Sequence, residues 1–399
     1  MNKRRVKNLR IVSLICILVL ICEVGFILYN FIEKSKHSVY FESINALINN
    51  NDSYIAVGSN NDNDNHYEKA KISKYDSNKE KVFEKLYNIG YNSAYFGVVL
   101  DGTDMVAVGS YEKDEEDHNS SVRHALIVKY DEDGNEVFSK DFQVLDNSKF
   151  TSITKVGEDY LVTGQSIYKN TKVGDKVGGA ILAKYNKEGE LLWSKTYGNN
   201  KSAIFNDLIV VNDSIYVVGC DDNYLGIIVR FDMDGNYISH NDYSVTDSLG
   251  FNGIANIDGV IYVSGALRRD NNDTDAMIVR YNLKCVYIDQ VIYTGLGFER
   301  FNRLRVDGDN NIIAIGTMAI AKKEKGISEF NYDGLVAKYD RDLKYIDAVR
   351  YGDDRDDYFT DIVIDKNNYL ISGYSSYEDG SYMSKFINYS KALKVLGVN

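Results

Sequence analysis

The sequence predicts an all-β fold: a seven-bladed β-propeller of four-stranded antiparallel blades, preceded by one N-terminal transmembrane helix. Three observations predict it. A short pattern is written seven times at a period of about 50 residues, which is the mark of a repeat architecture. Each copy contains a nearly continuous apolar run ending in glycine, as expected of a strand buried on both faces. A single long apolar stretch stands behind a basic N-terminus.

The N-terminal element comes first. Lys3, Arg4, Arg5, Lys7 and Arg10 precede an apolar stretch from Ile11 to Ile32 that is broken mainly by Glu23 and Asn30. That stretch is long enough to cross a bilayer core. The five cations before it outweigh Lys34 and Lys36 after it, which places the N-terminus in the cytoplasm. A cleaved signal peptide is the alternative, although no small-x-small cleavage pattern follows the apolar run. The expected organisation is a basic cytoplasmic tail at 1–10, a membrane anchor at 11–32 and a linker at 33–37. A propeller at 38–399 follows on the outer face of a cell membrane, with blades of about 38–88, 89–143, 144–198, 199–244, 245–294, 295–352 and 353–399.

Each repeat reads as four strands. The first begins at Phe41, Phe96, Phe150, Phe205, Phe251, Phe301 or Phe359, with an aliphatic residue three positions on. Residues three apart on a strand point to opposite faces, so both faces need cover. The second strand ends at Gly58, Gly109, Gly164, Gly219, Gly265, Gly316 or Gly373. The third ends in a basic-aromatic pair: Lys74-Tyr75, Lys129-Tyr130, Lys184-Tyr185, Arg230-Phe231, Arg280-Tyr281, Lys338-Tyr339 and Lys385-Phe386. The fourth, as in Glu136–Phe142, is more polar and suits an outer edge. Inner strands apolar on both faces and a mixed outer strand describe a blade between two neighbours. The first and last repeats are each complete, so ring closure is expected to rest on side-chain packing without exchange of strands. Loops between second and third strands vary in length while those between third and fourth do not. The variable face is therefore the expected binding face.

Repeat three carries the fullest pattern, with Val162-Thr163-Gly164, Lys184-Tyr185-Asn186 and Trp193-Ser194-Lys195-Thr196-Tyr197-Gly198. In this it resembles the glycine- and aromatic-rich β-propeller repeats of bacterial cell-surface and secreted proteins, and the resemblance covers essentially all of 38–399. It implies a propeller fold and leaves the ligand open. Trp193 is the only tryptophan of the chain, a departure from the quinoprotein propellers. No cofactor is expected.

The formal charge of −12 argues against nucleic acid, whose phosphates call for a basic surface. Expected partners are the membrane, through 11–32, and a protein, glycan or cell-wall ligand. The ligand-binding candidates are the variable-face aromatics Tyr111, Tyr168, Tyr224, Phe330, Tyr332, Tyr374 and Tyr377, since aromatic rings stack on sugars and anchor protein partners. Asp353, Asp354, Asp356 and Asp357 are the candidate ligands of a low-affinity calcium site, against the alternative of an acidic loop with a structural role. Asp131–Asn135 and Asp232–Asn236 also resemble calcium loops but lack the later bidentate glutamate, and they sit where an Asp-Gly hairpin turn is expected. The histidines are scattered and none stands beside a serine or cysteine in a nucleophilic arrangement, so no catalytic residue is assigned. The function expected is a membrane-anchored, non-enzymatic binding module at a bacterial cell surface. The alternative is an extracellular polymer-acting hydrolase or lyase with carboxylates at the channel mouth.

Overall fold

The chain divides into two compact units, Met1–Val39 and Tyr40–Asn399. The computed structural model describes residues 40–398 except 62–66, 88, 115–120, 144–146, 168–177, 199–202, 222, 224, 244–247, 270–272, 296, 325–326, 366–367 and 378. Every regular element among these is a strand, in antiparallel meanders of four. The first is β1 (Glu42–Asn50), β2 (Ser53–Asn61), β3 (Glu68–Asp76) and β4 (Lys81–Leu86). The second is β5 (Tyr91–Asp101), β6 (Asp104–Asp114), β7 (Ser121–Tyr130) and β8 (Glu136–Phe142); the third is β9 (Asn147–Val156), β10 (Asp159–Ile167), β11 (Gly178–Tyr185) and β12 (Leu191–Tyr197). Next come β13 (Ile204–Val211), β14 (Ser214–Cys220), β15 (Gly226–Asp232) and β16 (Tyr237–Asp242), then β17 (Ser248–Ile257), β18 (Val260–Arg268), β19 (Thr274–Asn282) and β20 (Tyr287–Tyr293). The last two are β21 (Glu299–Val306), β22 (Ile312–Glu324), β23 (Ile327–Tyr339) and β24 (Tyr345–Tyr351), then β25 (Asp357–Asp365), β26 (Asn368–Ser376), β27 (Tyr382–Ser390) and β28 (Val395–Val398).

Two parts of the expected fold class are corrected. The chain is an all-β propeller, but not one of seven separate four-stranded blades: five four-stranded sheets stand alone, and β5–β12 form one eight-stranded sheet. The cause is a parallel pairing of Arg123 on β7 with Asn147 on β9, made where both strands start early enough to overlap. Counting repeats along a sequence does not reveal such a pairing. Nor is any helix present among the described residues, so none of them is long and apolar enough to cross a membrane. The stretch 11–32, on which the expected transmembrane helix falls, lies outside the described residues.

The core position of each first strand is the residue opposite the repeat glycine. It is Phe150, Phe205, Phe251, Phe301 and Phe359 in repeats three to seven, all fully buried. In the first two repeats it is Ile44 and Tyr95, so the phenylalanine register expected there, at Phe41 and Phe96, is corrected. The last basic-aromatic pair shifts as well. Lys385 lies opposite Gly373, and the residues equivalent to Lys338-Tyr339 are Asn388-Tyr389.

Closure is more than packing. Phe41 makes a parallel bridge with Tyr382, whose N–H donates to the Tyr40 carbonyl at 2.8 Å. This is the joint that β7 and β9 make. Leu47 N–H donates to Asp361 Oδ2 at 3.0 Å, and the Tyr54 hydroxyl donates to Asp365 Oδ2 at 2.7 Å. The seam between first and last meanders is thus tied by hydrogen bonds, and no strand is exchanged. Removing one tie by Tyr54→Phe is expected to cost about 1 kcal/mol, read as a lowered urea midpoint. An unchanged midpoint would show that this tie contributes nothing to closure.

Candidate binding site at the channel mouth

Every first strand carries one extra residue beside its core position, where the register against the second strand slips. These β-bulge residues are Asn45, Phe96, Thr151, Asn206, Asn252, Asn302 and Thr360. A bulge re-aims its side chain. Here all seven line one cavity of about 260 Å³, which places them around the common axis of the ring.

Four of the asparagines reach to the following repeat. Nδ2 of Asn45, Asn206, Asn252 and Asn302 donates to the carbonyls of Tyr95, Phe251, Phe301 and Phe359, at 2.8, 2.8, 3.0 and 3.0 Å. Thr151 Oγ1 does the same to Phe205 O. The ring lapses at Phe96, which has no donor, and at Thr360, whose hydroxyl turns to Ser372 O. These bonds tie each repeat to the backbone of the next along the axial rim.

Beneath the rim, Arg303 lines both this cavity and a second one of about 390 Å³ on the far side, so its side chain divides the channel. Nη1 stands 3.3 Å from Asp207 Oδ2, and Arg305 Nη2 donates to Asp361 Oδ1 at 3.0 Å. Burial works against the Arg303 charge, but Asp207 and Asp361 hold its pKa above the ordinary arginine value. The two carboxylates also accept backbone N–H groups, Asp207 from Ile254 at 3.4 Å and Asp361 from Leu47. They are taken up by the scaffold.

On the side from which the first strands start, the rim opens beside a recess of about 580 Å³. Asn302 belongs to both. Its wall is a ladder of three tyrosines. Tyr332 stacks on Tyr358 with centroids 5.5 Å apart and planes at 25°, and Tyr358 on Tyr374 at 5.0 Å and 28°. Tyr358 and Tyr374 face each other directly across β25 and β26. Tyr332 is brought from β23 by its N–H, which donates to Asp356 Oδ1 at 3.0 Å. Because the rings cover one another's faces, the wall offers edges and hydroxyls to a ligand. Burial raises the pKa of Tyr358 and Tyr374, so both remain O–H donors at neutral pH.

Arg300 lines the same recess, and Lys149 the adjoining rim. They occupy the same register position, one residue before Phe301 and Phe150. Lys149 is half-buried, and desolvation lowers its pKa; Arg300 is exposed at the mouth. Among the described residues neither is paired with a carboxylate. Arg300 has one long contact, Nη2 to Asn252 Oδ1 at 3.4 Å.

Of the aromatics singled out from the sequence, Tyr332 and Tyr374 meet in this ladder, and Phe330 packs edge-on against Phe298, a recess residue, at 5.0 Å. Tyr111 is buried within its sheet against His124. Tyr377 stands apart under the Arg355 guanidinium, 5.0 Å from its centroid. Tyr168 and Tyr224 lie outside the described residues. The acidic run is engaged with protein groups: Asp353 with Arg355, Asp356 with Tyr332 N–H, and Asp357 with Lys385 and Ser375, while Asp354 also has a partner. Among the described residues no group of acidic, histidine or cysteine side chains could hold a metal ion. Sequence reasoning missed Tyr358, Arg300, Lys149 and the asparagine rim. The asparagines follow the core residue in repeats one, four, five and six, a signal visible once the register is right.

No family model matches the chain, and no curated protein matches it in sequence. Solved structures do. Sqt1 from Chaetomium thermophilum is similar over 88% of this chain and 98% of its own, at 9% identity and a TM-score of 0.50. The β-propeller domain of the Trilobed protease from Pyrococcus furiosus, described as having an open velcro topology, is similar over 88% and 93%, at 10% identity and a TM-score of 0.48. An acylaminoacyl peptidase from Pyrococcus horikoshii is similar over 90% of this chain and 52% of its own, at 10% identity and a TM-score of 0.47. At such identities the likeness concerns the fold alone.

Proposed function

We propose that this protein is a non-enzymatic binding module working outside a bacterial cell, with its ligand seated at the channel mouth. The observation that carries this reading is the tyrosine ladder of Tyr332, Tyr358 and Tyr374 standing beside a hydrogen-bonded asparagine rim. Rigid aromatic side chains with free polar ends, mounted on strands, are what a pre-organised recognition site requires. Acid–base hydrolysis needs two carboxyls with open access to a substrate. The channel carboxylates Asp207 and Asp361 are occupied by arginines and backbone N–H groups, which supports binding over hydrolysis.

A pull-down from intact cells with the full-length chain, followed by a glycan array, tests the reading. Capture should fall at least tenfold in a variant carrying Tyr332→Ala, Tyr358→Ala and Tyr374→Ala. Equal capture by the triple variant would move the site elsewhere, and turnover of the captured glycan would favour the hydrolase. The display outside the cell rests on the basic residues before the apolar N-terminal stretch. Protease added to whole cells is expected to degrade residues 40–399; protection until lysis would contradict that placement.

A further inference from the structure

We infer that the recess beside the channel mouth selects an acidic sugar: a polyhydroxylated body carrying an oxyanion, carboxylate or phosphate, that is bound by Arg300. The inference rests on the binding-module reading and adds the chemical class of the ligand. Arg300 lines the recess together with Tyr332, Tyr358 and Tyr374, and among the described residues no carboxylate neutralises it. A guanidinium stays charged even when partly desolvated, and it presents a planar fork that matches a carboxylate or phosphate. Arg300 is exposed at the mouth, so its guanidinium is open to an arriving anion.

The neighbours argue the same way. Lys149 at the rim is a second cation without a carboxylate partner among the described residues. The structural arginine nearby is treated differently: Arg303 has Asp207 at 3.3 Å. Two classes of arginine therefore stand at one channel, one neutralised and one left open. Tyrosine hydroxyls supply donors to an oxyanion and both donors and acceptors to sugar hydroxyls. A neutral sugar would leave Arg300 uncompensated, whereas an anionic one completes it.

Calorimetric titration of the full-length protein decides the matter, with three probes at equal salt: an oligogalacturonate, a poly(glycerol phosphate) and a neutral galactan oligomer. At least one of the two anionic probes should bind tenfold or more tightly than the neutral one, and which one does so separates a uronic carboxylate from a phosphodiester. Raising the salt should weaken the anionic probe and leave the neutral one unchanged. Arg300→Gln should abolish the preference. Tyr358→Phe, which removes one hydroxyl and keeps the stack, should weaken binding about threefold to tenfold. Circular dichroism and an unchanged melting temperature confirm that both variants fold. Equal affinity for anionic and neutral probes, or an anionic preference unaltered in Arg300→Gln, overturns the inference and leaves the binding-module reading standing. Absence of binding to all three probes, with glycan-array capture intact at the same mouth, also overturns it. If capture from intact cells is absent too, the module reading falls with it.

Discussion

Gly164→Ala is expected to destabilise the protein by at least about 3 kcal/mol, well beyond an ordinary surface substitution. Gly164 sits opposite Phe150, and a Cβ there would press on the carbonyl oxygen of Lys149 at a separation that real Cβ atoms do not adopt. The obstacle is backbone, so no rotamer relieves it; either the β10–β9 ladder opens or the bulge at Thr151 is lost. Either outcome also displaces the Thr151 bond to Phe205 and loosens the rim. Gly58, Gly109, Gly219, Gly316 and Gly373 meet the carbonyl before the core residue in the same way. Gly308→Ala is the control, because nothing lies within 4 Å of its Cβ, and it should be neutral within about 0.5 kcal/mol. Urea midpoints of both variants provide the comparison. A loss below about 1 kcal/mol for Gly164→Ala would show that the two strands separate more easily than their close approach implies.

That repeat glycine was legible in the sequence because only its size is permitted there. The residue facing it was not equally legible. Phenylalanine fills the position five times, but Ile44 and Tyr95 do the same work, and nearby Phe41 and Phe96 imitated the pattern. What the packing requires is an apolar side chain between sheets, and several residue types meet that need. Lys385 misled for a related reason: it precedes an aromatic, yet its role is to pair with Asp357 from a place opposite Gly373. The site was half visible. Tyr332 and Tyr374 could be found as loop-side aromatics, but Tyr358 was hidden in the acidic lead-in to the last repeat. The asparagine rim arises from bulges, which depend on pairing partners a single strand does not display.

Glu299→Gln is expected to stabilise the protein above pH 7 by up to about 3 kcal/mol. Three repeats carry an acid two residues before the core position: Glu42, Glu299 and Asp357. In two of them a lysine lies opposite the repeat glycine and forms a buried ion pair, Lys71 with Glu42 and Lys385 with Asp357. At the equivalent place facing Gly316, the sixth repeat has Leu335. Glu299 is fully buried, with Oε1 accepting Gly297 N–H at 3.1 Å and Oε2 without a hydrogen-bond partner among the described residues. Burial, with Asp273 and Asp275 nearby, pushes its carboxyl up to about 7 from 4.5. Arg269, the cation close by, is already paired with Asp275. In the folded chain the proton is therefore held over a window, about pH 4.5 to 7, in which the unfolded chain has released it. The folded state binds more protons there, so stability falls as pH rises through the window, and the whole penalty is present above pH 7. A rise of that size corresponds to about 3 kcal/mol. Glutamine keeps the acceptor for Gly297 and can offer its amide hydrogens toward Asp275 without carrying a charge. Wild type and variant should therefore be nearly equal in urea at pH 5 and separate steadily toward pH 8, with the variant ahead. A difference constant between pH 5 and pH 8 would mean that Glu299 ionises in the folded chain as readily as in the unfolded one.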